Sequence, residues 1–130
     1  MALYDLYTAK VYYSNPEEGH EWKPVVQIKE NASDPDSFAV LTHHDPRARY
    51  TGEIEVKDFK ECGLKQKSTI RLTQRIDKPR KRRKIGTLTP ELAAKVTTEL
   101  FKPHKIEHHQ TEDIDDDFTI GSILNEVLND

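Results

Sequence analysis

The chain has 130 residues, of which 33% are charged and 35% hydrophobic, with a net charge of −3. That length fits one domain with a tail, and a modest core that a partner subunit would help to complete. The single Cys62 excludes an internal disulfide and suits a reducing compartment. No apolar run approaches the ~20 residues a membrane span needs, and MALYDLYTAK lacks signal-peptide architecture, so a cytoplasmic protein without a membrane partner is expected.

Residues 6–13, LYTAKVYY, are rich in aromatic and β-branched side chains and predict a first strand. Residues 14–22 form a polar loop punctuated by Asn-Pro and Gly. Residues 23–29, KPVVQIK, predict a second strand. Pro24 lacks an N–H and belongs at a strand start or on an edge. After the turn ENASDPD, residues 37–42 predict a short apolar third strand, and HHDPRARY a basic loop. The alternation EIEV at 53–56 predicts a fourth strand, and residues 58–66 a short helix or turn around Gly63.

Residues 68–76 alternate strictly. Ile70, Leu72 and Ile76 share one parity, and Thr69, Arg71, Thr73 and Arg75 the other, which predicts a strand with one buried and one exposed face. Then KPRKRRK, 78–84, places six cations in seven residues and reads as a solvated hairpin or loop. Ile85-Gly86-Thr87-Leu88 gives a short strand or turn. Thr89-Pro90-Glu91 reads as N-cap, N1 proline and acidic first turn of a helix that continues through Leu92, Val96 and Leu100. Five or six strands followed by one helix predict a mainly β fold, a small antiparallel barrel with helical decoration.

Residues 1–103 carry a net +4 and form the expected barrel domain, whereas residues 104–130 carry −7. Residues 104–117 read as an acidic linker. Residues 118–130 place Ile120, Ile123, Leu124, Val127 and Leu128 at helical spacing, an amphipathic C-terminal helix that needs a surface to bury against. A basic body favours phosphate-bearing partners, and an acidic tail competes for the same surface or merely solubilises the chain. His104, His108 and His109 include the i, i+4 spacing of a metal pair. Without cysteines and within an acidic flexible stretch they predict no metal site, and no cofactor motif is present.

Three stretches resemble the MazF/PemK family of toxin endoribonucleases, over about residues 6–101. The first is Gly19-His20-Glu21 with Lys23-Pro24-Val25-Val26. The second is FAVLT, 38–42. The third, and most specific, runs from Gly63-Leu64 through Thr69-Ile70-Arg71, Gln74 and Ile76-Asp77 to Lys84-Ile85-Gly86-Thr87-Leu88-Thr89-Pro90-Glu91. The resemblance implies a MazF/PemK/CcdB-like barrel of SH3 type, usually a homodimer, with a cognate antitoxin as partner. It also implies sequence-specific, metal-independent cleavage of single-stranded RNA by attack of the 2′-hydroxyl on the adjacent phosphate.

The resemblance puts the catalytic positions at His20, Lys23, Thr42 and Arg71. Lys23 stands where the family has an arginine, and keeps the charge but loses the bidentate fork. Thr73 stands where some members carry an acidic residue, so a base is missing there and His43 or His44 is the substitute in sequence. His43, Thr73, Arg75, Arg80, Lys81, Arg82 and Arg83 are the expected RNA contacts. Each residue also has a plainer role: Lys23 blunts an edge strand, Thr42 ends one, His20 and His43 sit in solvated loops, and Arg71 pairs with Glu53 or Glu55 across strands. The alternative function is a non-catalytic nucleic-acid- or protein-binding module on the same barrel. Antitoxins of the family resemble residues 104–130, which implies self-inhibition by that tail or a dimer clasp.

Overall fold

A computed structural model describes residues 2–12, 17 and 19–111 of the protein. They form a mainly β fold with one helix: β1 (Asp5–Tyr12), β2 (His20–Gln27), β3 (Phe38–Thr42), β4 (Glu53–Val56), β5 (Ser68–Ile76), β6 (Arg82–Thr87), α1 (Pro90–Leu100) and the two-residue β7 (Glu107–His108). The sheet runs β4-β5-β3-β2-β1-β6 with antiparallel neighbours, and β7 pairs in parallel with β5 at Gln74 and Arg75.

Both faces of this sheet are covered. One carries Leu6, Val26, Leu41, Ile70 and Leu72 against Leu92 and Val96 of α1. The other carries Tyr7, Val25, Phe38, Val40 and Ile76. All five residues of β3 are therefore buried, which is why FAVLT lacks alternation. Helix α1 begins as its signals dictate: Thr89 Oγ1 accepts from Leu92 N at 3.4 Å, with proline in the first turn and Glu91 beside the positive end of the dipole. Pro24 sits within β2, but the β2–β3 ladder starts only at Val25. Residues 20–24 are thus paired on the β1 side alone, where a missing N–H is tolerated. Among the described residues no helix is long and apolar enough to cross a membrane.

Two expectations are corrected. Thr69, Arg71, Thr73 and Arg75 do not share one exposed face. The β3–β5 register jumps from Val40↔Arg71 to Ala39↔Arg75, a bulge that adds three residues to β5 and reverses side-chain parity beyond it. Arg71 lies opposite Val40, on the face of the second core, whereas Arg75 lies opposite Ala39. Thr69 is buried and Arg75 is only 8% exposed, its Nε donating to the Leu72 carbonyl and its Nη1 to that of Asp36. Arg75 is therefore a structural residue. The basic run is not wholly a loop either. Arg82, Arg83 and Lys84 pair with Ala9, Thr8 and Tyr7 as the start of β6, because at a sheet edge cations keep their side chains in water while their main chain pairs.

The stretch expected as a linker contributes order as far as Thr111. His104 is buried beside the helix end, with Nε2 3.0 Å from the Glu99 carbonyl. His109 N donates to Arg75 O at 2.7 Å, Tyr12 N donates to Gln110 O at 2.9 Å, and Thr111 bridges Val11. Residues 104–111 thus form a strap from α1 across β5 to β1. The acidic residues 112–117 and the amphipathic helix expected over 118–130 lie outside the described residues.

Candidate functional site

Three of the four catalytic candidates line one cavity of about 210 Å³: Lys23 from β2, Thr42 from the end of β3 and Arg71 from β5. Val25↔Val40 and Val40↔Arg71 are register pairs, so residues of matching parity on the three strands face the same side. Val11 and Val40 give the cavity an apolar floor, and Gln74 from the bulge and His109 from the strap complete its wall. Two cations, a hydroxyl and an imidazole around an apolar floor suit a small anionic group with an apolar neighbour.

Each cation is held by a carboxylate. Lys23 Nζ lies 3.3 Å from Glu21. Arg71 Nε is buried with no hydrogen-bond partner and lies 3.6 Å from Glu53 Oε2, its cross-strand neighbour. Glu53, with a side chain 2% exposed, also accepts from Arg47 N at 2.8 Å and Arg47 Nε at 2.9 Å. The plainer role foreseen for Arg71 is therefore real, and it also aligns the guanidinium. Burial alone would raise the Glu53 carboxyl, but the Arg47 hydrogen bonds and the Arg71 charge hold it below the ordinary glutamate value.

The stability sign follows from that lowering. Unfolded Glu53 binds its proton more readily than folded Glu53, so its contribution is complete above the ordinary value of about 4.3 and is lost as pH falls through the lower folded value. Glu53→Gln is expected to cost about 2–4 kcal/mol at pH 7, discounted from the cost of breaking a buried pair because Arg47 is 37% exposed. Urea titrations at pH 7 and pH 3 should show that penalty shrinking in acid. A penalty equal at both pH values would refute the assignment.

His20 is not brought into this cavity. It lies three residues from Lys23 on β2, on the opposite parity, and its exposed ring packs against Tyr12 at 5.6 Å between centroids. His43 lines a different depression, with Trp22 and Pro24, and its ring nitrogens face Gln66 Nε2. Thr73, inside the bulge, is half-buried and is not among the cavity's lining residues. The imidazole that does reach the cavity is His109. The sequence marked it only as a member of the His104, His108 and His109 cluster, because its placement in the cavity depends on main-chain pairing at and beside β7.

The other face of β2 carries a larger trough of about 740 Å³ lined by Lys65, Lys81, Arg82, Arg83 and Lys84 around Trp22. Trp22 is 54% exposed. Cations beside an open indole suit phosphates next to a stacked base. Arg80 is not among the lining residues.

Asp36, Asp77 and His108 bring donor atoms within 4.8 Å of one another. Both imidazole nitrogens of His108 face carboxylates, Nδ1 at 2.6 Å from Asp36 and Nε2 at 3.9 Å from Asp77. These contacts clamp the strap to the turn before β3 and the end of β5. The sequence matches no protein-family model and no curated protein.

Proposed function

We propose that the protein binds single-stranded RNA and cleaves it without metal at the cavity of Lys23, Thr42 and Arg71, as a toxin-type endoribonuclease. The observation that carries this reading is the convergence of those three side chains from three strands on one small concavity. Lys23 and Arg71 would neutralise the scissile phosphate and its developing charge, and Thr42 would orient a phosphate oxygen. The trough around Trp22 supports RNA as the polyanion, since an open indole among cations stacks an unpaired base. A small barrel of SH3 type, a homodimer, a cytoplasmic location, an antitoxin and inhibition by residues 104–130 belong to the same reading and rest on the family resemblance.

Incubation of the purified protein with mixed RNA in EDTA should yield fragments with 2′,3′-cyclic phosphate and 5′-hydroxyl ends. Intact RNA at large protein excess, with no growth defect on expression, would sink the nuclease reading. The second reading, a binding module without turnover, is favoured by the Glu53 carboxylate against Arg71 and by His20 facing elsewhere. An oligonucleotide that is bound in a salt-sensitive manner yet stays uncut would select it.

A further inference from the structure

We propose that His109, delivered by the strap, is the general base of the cavity, with Gln74 and Glu107 as its positioning residues. This rests on the RNA-cleaving reading and names the proton acceptor that reading lacks.

The geometry makes a directed chain. Gln74 Nε2 donates to Glu107 Oε2, which fixes the amide so that its oxygen faces the strap. That oxygen, Gln74 Oε1, meets His109 Nε2. An amide oxygen only accepts, so Nε2 carries the hydrogen and Nδ1 carries the lone pair in the neutral ring. Nδ1 is buried and has no hydrogen-bond partner among the described residues. A buried polar atom without a partner calls for an explanation, and a substrate hydroxyl supplies one. The main chain holds the ring in place from both sides, through His109 N on Arg75 O and Gln110 O on Tyr12 N.

Burial of the ring favours its neutral form. Burial lowers the His109 pKa below the ordinary imidazole value, and Lys23 and His108 act in the same direction. Glu107 and the Tyr12 main-chain carbonyl oppose them without prevailing. At pH 7 the ring is ready to accept a proton.

In the step itself His109 Nδ1 takes the proton of the ribose 2′-hydroxyl. The 2′-oxygen forms its bond to phosphorus while the bond from phosphorus to the 5′-oxygen breaks. The leaving 5′-oxygen takes a proton from water, and the imidazolium returns its own to solvent. The products are a 2′,3′-cyclic phosphate and a 5′-hydroxyl, with no oxidant or reductant required.

The test is single-turnover cleavage of an RNA oligonucleotide in EDTA from pH 4.5 to 8.5, with His109→Ala, His109→Gln and Gln74→Ala beside the wild type. The wild-type rate should climb with pH and level off above a midpoint lower than an ordinary imidazole. His109→Ala should lose roughly 10²–10⁴-fold in rate, the range for a lost general base, and added imidazole should restore part of it. His109→Gln keeps an amide against Gln74 and so controls for loosening of the strap; it should be equally slow, and imidazole should not help it. Gln74→Ala should shift the acid limb of the profile. All variants should retain salt-sensitive binding of a 2′-O-methyl oligonucleotide, which cannot react, as the sign that the sheet and its basic trough are intact. A wild type that cuts while both His109 variants cut equally well with the acid limb intact overturns the base assignment and leaves the cavity reading standing. A wild type that binds RNA and cuts nothing overturns both.

Discussion

Gly86→Ala should cost roughly 4 kcal/mol or more of stability, near the top of what single substitutions do. A Cβ built on Gly86 would lie 1.8 Å from the Cys62 carbonyl oxygen, and one on Gly63 would lie 1.9 Å from that of Ile85. These are contacts with main chain, so no rotamer change relieves them. The turn ending at Gly63 and strand β6 touch backbone to backbone there. Gly63 also holds φ at +88°, which an alanine adopts only under strain, so Gly63→Ala should be at least as severe. Gly52 is the control. Its φ is +74°, but its nearest neighbour is the His104 ring at 3.3 Å, a side chain able to give way. Gly52→Ala should cost about 1–3 kcal/mol, the ordinary price of a left-handed non-glycine residue. Urea unfolding at constant m decides the matter. Midpoints for Gly86→Ala and Gly63→Ala close to wild type would mean the two segments do not approach as described. The consequence reaches the trough, because the same contact holds Lys65 opposite residues 81–84.

Under the proposed RNA-cleaving function, Arg71→Ala should reduce single-turnover cleavage by about 10³-fold, comparable to the loss of one donor that stabilises transition-state charge. Arg71 is the cation whose Nε is buried without a hydrogen bond while Glu53 holds it from 3.6 Å, so its geometry is set before any phosphate arrives. Arg71→Lys keeps the charge and loses the planar fork, and is expected to recover about tenfold of the loss at most. The salt dependence of binding separates this role from packing: removing one phosphate contact should flatten the slope by about 0.7 for a single strand. Loss of activity together with an unchanged slope and a large drop in stability would instead mark Arg71 as a structural partner of Glu53.

The strands were legible because period two and β-branched composition act locally. The cap Thr89 with Pro90 likewise announced α1 at the right place. The grouping of Lys23, Thr42 and Arg71 followed from the family resemblance, and the structure sets the three around one cavity. Parity beyond the bulge was not legible. Nothing in Leu72-Thr73-Gln74 marks three inserted residues, so Arg75 was placed beside Arg71 when it lies on the other face. His20 was read in a loop, and only as part of β2 does its three-residue offset from Lys23 turn it away. His109 was hidden most deeply. A strand of two residues held by main-chain bonds leaves no side-chain pattern, and the acidic surroundings read as unstructured chain.

The strap also imposes an order of assembly. Residues 104–111 follow the sheet and helix in synthesis, and folding during synthesis proceeds from the N-terminus. The sheet and helix can therefore settle while the cavity wall contributed by His109 is still absent.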